Sequence, residues 1–232
     1  MKAEYVDHMG SDLSVVNAAR VSFDKVSSHV YVDEEGNEFT ELVAEGLRGP
    51  TTKADDERLI RYLAKHDHWT PFAHTSITLR MKAPVPIRTQ CFKHKQGLVE
   101  NEESRRYISS TPELYVPDHF RCKSEGSAKQ GSAGVHPSSA AWRETYMIHC
   151  RAAIDLYELM IQDGVCPEQA RFVLPQGVQV NWIWTGNLYA FANFYLKRTD
   201  AHAQQEVQQL AAMAGQVISP LFPVSWKALT QQ

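Results

Sequence analysis

Two stretches of this chain alternate apolar and polar side chains with a period of two. In TSITLRMKAPVPI, residues 75 to 87, Ile77, Leu79 and Met81 take one face and their neighbours the other. VQVNWIW, residues 178 to 184, repeats the pattern. Successive side chains of an extended strand point to opposite faces, so both stretches predict strands, and Pro84, which cannot donate to a ladder, ends the first. Helical spacing fills much of the remainder. DDERLIRYLAKH, residues 55 to 66, opens with acids and puts Leu59, Ile60 and Leu63 on one side. Tyr146, Cys150, Ala153, Ile154, Tyr157 and Ile161 recur at helical spacing, and a helix is expected from Thr185 through GNLYAFANFYLKR. Val207, Leu210, Ala211 and Ala214 continue the pattern up to the breaker at Pro220. DEEGNE, residues 33 to 38, predicts a hairpin turn at Gly36-Asn37. Residues 121 to 140, rich in Ser, Gly and Ala, predict a mobile loop.

With 232 residues, 43% of them hydrophobic, the chain can fill one large domain or two small ones. Its net charge of -3 argues against general nucleic-acid binding, which favours a basic excess. No run approaches 18 apolar residues and the N-terminus has no apolar leader, so the expectation is a soluble protein in the cytosol, with no membrane contact. The four cysteines, Cys91, Cys122, Cys150 and Cys166, form no C-x-x-C pair and read as buried or incidental thiols. His66, His68 and His74 match no common zinc spacing, and no metal is expected.

Two features carry candidate chemistry. FKHKQGLVENEESRRY, residues 92 to 107, holds the basic blocks Lys93-His94-Lys95 and Arg105-Arg106 around an acid-rich turn, with Ser104 beside the second. Such a run is either a solvated charged loop or a surface for phosphates. Second, at 100° per residue Asn187, Phe191, Phe194 and Arg198 share one helical stripe within about 60°. An arginine on such a stripe either snorkels, pairs internally, or clamps a ligand.

At these residues the chain resembles the flavin-dependent thymidylate synthases. Their Arg-His-Arg, seven residues, Ser signature is similar to Lys93-His94-Lys95, eight residues, Ser104, within NEESRRY. AARVSF at 18 to 23, HWTPFAH at 68 to 74 and ARFVLP at 170 to 175 resemble further family segments. Asn187, Asn193, Arg198 and DAHAQ at 200 to 204 follow at the family's spacing. Both signature arginines are lysines here, which keep charge but lose the planar fork. One extra residue lies within Gln96 to Glu100.

The resemblance implies a single mixed α/β domain over residues 1–232 with an antiparallel-rich sheet, assembled as a homotetramer with shared active sites. It implies a methyltransferase with reduction that converts dUMP to dTMP. Methylenetetrahydrofolate would donate the carbon and NADPH-reduced FAD the hydride. Carried over, Ser22, His68, Lys93, His94, Lys95, Glu102, Asn187, Asn193 and His202 would bind FAD. Gln90, Glu102, Ser104, Arg105, Arg106 and Arg171 would hold dUMP. Arg198 would face the uracil ring as the catalytic group, and no cysteine would be essential. Two alternatives stand beside this reading. One is an FAD- and folate-dependent methyltransferase of another uridine. The other is a non-enzymatic RNA-binding module using Lys93 to Arg106 with Trp182 and Trp184 as stacking platforms.

Overall fold

A computed structural model describes residues 1–39, 48–124 and 131–231. In chain order its elements are β1 (Lys2–Met9), α1 (Asp12–Arg20), a 3-10 turn (Val21–Phe23), β2 (Val30–Val32), β3 (Glu38–Phe39), β4 (Arg48–Thr51), α2 (Ala54–Lys65), a 3-10 turn (Thr70–His74), β5 (Ser76–Pro84), α3 (Val85–Cys91) and β6 (Leu98–Glu102). There follow β7 (Arg121–Lys123), β8 (Ser132–Val135), α4 (Ser139–Gln162), α5 (Pro167–Ala170), a 3-10 turn (Arg171–Val173), β9 (Gln179–Gly186), α6 (Leu188–Thr199), α7 (Gln205–Ile218) and α8 (Pro223–Thr230). The fold is mixed α/β with antiparallel pairing throughout. Both period-two stretches are strands and are neighbours in a four-stranded sheet of order β1-β5-β9-β6.

The alternation decides what that sheet packs against. Ile77, Leu79 and Met81 on β5 and Trp182 and Trp184 on β9 are buried on one core. Helix α6 lays Phe191 and Phe194 edge-on to the Trp184 ring, at centroid distances of 5.4 and 4.7 Å. Edge-to-face aromatic pairs of this kind stabilise beyond their buried area, by about 0.5–1.5 kcal/mol each. The burial also excludes Trp182 and Trp184 as stacking platforms for RNA bases, since they are 2% and 0% exposed.

The DEEGNE hairpin forms, with β2 paired to β3 and Gly36 in the left-handed region. Three expectations are corrected. Helix α6 begins at Leu188, not Thr185. Thr185 and Gly186 extend β9, and Asn187 caps the helix by accepting the Ala190 N–H at 2.8 Å. Asparagine in extended backbone is a strong helix stop toward its N-terminus. The Ser/Gly/Ala-rich segment carries the paired strands β7 and β8, and α4 begins within it. Arg121 anchors this ribbon, donating from both terminal nitrogens to Glu206 of α7 at 2.8 Å and from Nε to Ser132. Residues 125–130 of the expected loop lie outside the described residues. Finally, the charged stretch 92–107 contains β6, an edge strand whose exposed positions hide its pattern.

Helix α4 has two apolar faces. Cys150, Ile154 and Tyr157 face the protein. Trp142, Ile148, Leu156 and Leu159 are exposed, and at 100° per residue they span about 120° of the opposite side.

Buried carboxylates tie the periphery to this core. Asp12 accepts the N–H groups of Val224 and Ser225 and so caps α8. Asp56, fully buried, accepts from Arg20 Nε at 2.9 Å, and from the Arg20 terminal nitrogen and the Ser27 hydroxyl. It therefore holds both ends of the segment carrying Val21, Ser22 and Phe23, which are exposed. Its neighbour Asp55 pairs with Arg58 on the open surface. Removing one partner of a buried pair leaves the other charge uncompensated, at roughly 3–5 kcal/mol, whereas an exposed pair contributes about 1 kcal/mol or less. Asp56→Ala should therefore lower the urea unfolding free energy by about 3 kcal/mol or more and Asp55→Ala by no more than about 1 kcal/mol. Equal losses in the two variants would remove Asp56 as the anchor of this segment.

Candidate active site

A cleft of about 1050 Å³ lies between the turn after α3 and one stripe of α6. One wall is Lys93 to Leu98 and the other is Asn187, Tyr189, Ala190, Asn193 and Lys197, with Trp69 at its rim. The two walls meet closely at Gly97, which has a φ of +72°. A Cβ there would stand 2.7 Å from the Asn187 side-chain nitrogen, so neither the conformation nor the space admits another residue. Of the predicted flavin set, Lys93, His94, Lys95, Asn187 and Asn193 come together here.

The lining suits a large flat anion. Trp69 and Tyr189 place their rings 5.9 Å apart, and Tyr189 donates to Asp67 at 2.8 Å. Burial, and then that hydrogen bond, raise the Tyr189 phenol above its usual range, which keeps it a neutral donor. The volume is at the upper end of small-molecule sites, about 300–1,000 Å³. Aromatic walls, two asparagine amides and several ammonium groups are the chemistry that a ring system with phosphates requires.

A second cleft of about 430 Å³ is lined by Gln90, Arg121, Ser132, Arg198, His202 and Gln204. Arg198 and His94 join it to the first. Arg198 donates from Nε to His94 Nε2 at 2.9 Å and from Nη2 to the Gln90 carbonyl at 3.0 Å. Guanidinium can only donate, so Nε2 of His94 is the acceptor and the ring proton sits on Nδ1. Burial first, then the charges of Arg198 and Lys197, hold the imidazole down to about 4. The partner of Arg198 is thus a neutral histidine, and the side chain neither snorkels nor forms an ion pair. Among the described residues two of its five donors are used, and the guanidinium lines the smaller cleft. Across that cleft Gln90 donates to Gln204 at 2.7 Å.

The other predicted residues lie elsewhere in the chain. Glu102 lines a third cleft and pairs with Arg88 at 2.7 Å. Burial raises its carboxyl above the usual range, against the charge of Arg88. Arg106 donates to the Glu168 carboxylate at 2.7 Å and Arg171 to the Glu168 backbone carbonyl at 3.3 Å, so the two arginines meet at one residue. Ser104 accepts from the Arg106 N–H, and Arg105 donates to the Ser110 carbonyl. Ser22 is exposed on the turn that Asp56 holds, and His68 is exposed beside Tyr62. His202 lines the smaller cleft, not the larger one, and bonds Asp200. Cys91 is buried at the end of α3, and burial pushes its thiol up to about 12, which leaves no thiolate for nucleophilic attack.

Sequence reasoning missed Trp69, Tyr189, Lys197, Arg121 and Gln204. Trp69 adjoins the singled-out His68, and Tyr189 and Lys197 follow Asn193 at spacing four on either side. A second stripe on α6, about 100° from the first, was the signal available. Nothing local marks Arg121.

Comparison with known proteins accords with this geometry. The family model described as thymidylate synthase complementing protein matches residues 4–224. The flavin-dependent thymidylate synthase of Thermosipho africanus is 33% identical over 225 residues, covering 96% of this chain and 88% of that protein. That of Thermus thermophilus is 29% identical over 226 residues, covering 97% and 74%. Among solved structures, the UMP/dUMP methylase PolB of Streptomyces cacaoi, bound with 5-Br dUMP, superposes with a TM-score of 0.79 at 28% identity, over 99% of this chain and 94% of that one. The chain belongs to the flavin-dependent thymidylate synthase family.

Proposed function

We propose that the protein converts dUMP to dTMP as a cytoplasmic homotetramer, with methylenetetrahydrofolate as carbon donor and FAD, reduced by NADPH, as hydride donor. The observation that carries this reading is the Arg198–His94 hydrogen bond, which joins a cleft suited to a flavin to a smaller one lined by a guanidinium. Bound FAD supplies the hydride chemistry, and the protein supplies position and charge. Lys93, Lys95, Asn187 and Asn193 would hold the cofactor, with Trp69 and Tyr189 against its rings. The Arg198 donors that have no partner among the described residues would meet the uracil carbonyls. They would stabilise negative charge that develops as C5 attacks the one-carbon unit. Gln90 and Gln204 would orient the nucleotide.

Ser22, His68, Glu102, Ser104, Arg105, Arg106 and Arg171 would complete the sites of neighbouring copies. What supports this is the company they keep. Phe23 adjoins Ser22, with Val26 three residues further on, Tyr107 adjoins Arg106, and Phe172 adjoins Arg171, each of these apolar residues at least 75% exposed. Exposed aromatic residues beside arginine are the composition of a protein interface, and the outer face of α4 adds an apolar surface. UMP is the second substrate to weigh, because PolB has also been solved bound with 5-Br UMP, at a TM-score of 0.78 and 26% identity.

Three outcomes test the proposal. The purified protein should elute as a tetramer, absorb near the flavin band at about 450 nm and form dTMP from dUMP. A colourless monomer inert to added FAD would end the reading, and a higher kcat/KM for UMP would move it to the ribonucleotide. Arg198→Ala should lower kcat by about 10²–10³ or more with FAD still bound; Cys91→Ala should leave turnover within a few-fold. Lastly, the folded His94 titrates near 4, below its unfolded value of about 6.5. The neutral ring therefore contributes stability that is present above about pH 6.5 and is lost as pH falls toward 4. His94→Gln keeps an acceptor and does not titrate, so its unfolding midpoint should fall less than the wild type's across that window. Parallel curves would show that His94 does not carry the acid sensitivity.

A further inference from the structure

We infer that Lys197 is a cofactor-binding residue, and that it and Lys93, from opposite walls of the larger cleft, together receive the diphosphate of the flavin dinucleotide. This rests on the reading of that cleft as the flavin site. Of the three lysines lining it, Lys95 is already committed. Its ammonium pairs with Glu100 and lies 5.4 Å from the Phe92 ring centre. Lys93 and Lys197 have no ion-pair partner among the described residues.

The ordinary alternative is a solvated lysine in the last turn of a helix, where the dipole favours a cation. That effect requires no particular face. Lys197 nevertheless falls on the stripe Tyr189, Ala190, Asn193, Lys197, all of which line the cleft. At 100° per residue these four span about 100° and are distinct from the stripe that Phe191, Phe194 and Arg198 turn inward. Lys197 is also near enough to His94 that its charge contributes to keeping that ring neutral. Gathering like charges along one cleft is unfavourable until an anion enters, and a diphosphate carries about two negative charges. Two ammonium groups on flexible stems, each with three donors, can straddle a diphosphate without the planar fork that the Lys93 and Lys95 positions lack.

Flavin fluorescence quenching on the full-length protein tests this, with FAD and riboflavin as the two probes. Lys197→Ala should weaken FAD binding about tenfold and leave riboflavin, which has no phosphate, within twofold. Lys197→Arg should restore FAD affinity, and Lys197→Glu should weaken it further than alanine does. Lys227→Ala, on α8 and outside both clefts, should match the wild type. Wild-type binding of FAD with Lys197→Ala unchanged would overturn the inference and leave the flavin reading standing. Equal weakening of FAD and riboflavin would assign Lys197 to the rings or to the fold and would also overturn it. A wild type that binds neither probe removes the flavin reading itself.

Discussion

A guanidinium at the end of a buried helical stripe has to meet an acceptor, and here that acceptor is an uncharged imidazole. Both clefts depend on the bond. Phe191 and Phe194 seat α6 on Trp184, and the same stripe delivers Arg198 one turn later to His94. His94 in turn packs edge-on against Phe194, 5.2 Å between ring centres. The ring is thus held by an apolar neighbour on one side and a donor on the other. That arrangement favours the neutral form and keeps the acceptor nitrogen available. Displacing α6 by a fraction of a turn would break the wall shared by the two clefts.

Charge is handled in two ways. Where it builds the scaffold it is buried and matched, as in Asp56 with Arg20 and in the bidentate pair of Arg121 with Glu206. Such pairs lock geometry because leaving either partner alone is costly. Where it faces the larger cleft, Lys93 and Lys197 have no ion-pair partner among the described residues, in a chain whose net charge is -3. A modest overall charge is compatible with strong local attraction for anions when cations share one concave surface.

The exposed residues complete the account at the level of assembly. Asp56 holds a turn whose apolar side chains Val21 and Phe23 are exposed, and α4 turns a second apolar face outward. The buried carboxylate thereby presents Ser22 between exposed Val21 and Phe23. Arg106 and Arg171, which meet at Glu168, form a second basic group that lines neither the larger cleft nor the Arg198 cleft.

Local pattern alone determined the two central strands, helices α2, α4 and α7, and the inward face of α6, because periodicity of two or 3.6 is written in consecutive residues. Motif order identified the family and five of the twelve residues that line the larger cleft, since Lys93 to Lys95 and Asn187 to Asn193 each lie within a few residues of one another. Tertiary structure decided the rest. The acceptor for Arg198 is more than a hundred residues away, at His94 and Gln90, and no helical wheel contains it. Strand β6 was hidden because this edge strand puts Glu100 and Glu102 at half-buried positions and Val99 at an exposed one, so apolar and polar residues do not alternate with burial. Strands β7 and β8 were hidden because a small-residue segment is ordered here by one ion pair to Glu206, not by its own apolar content. Lys197 looked like any last-turn lysine in sequence; its place on a cleft wall exists only once α6 is docked and its second stripe faces the turn at Gly97.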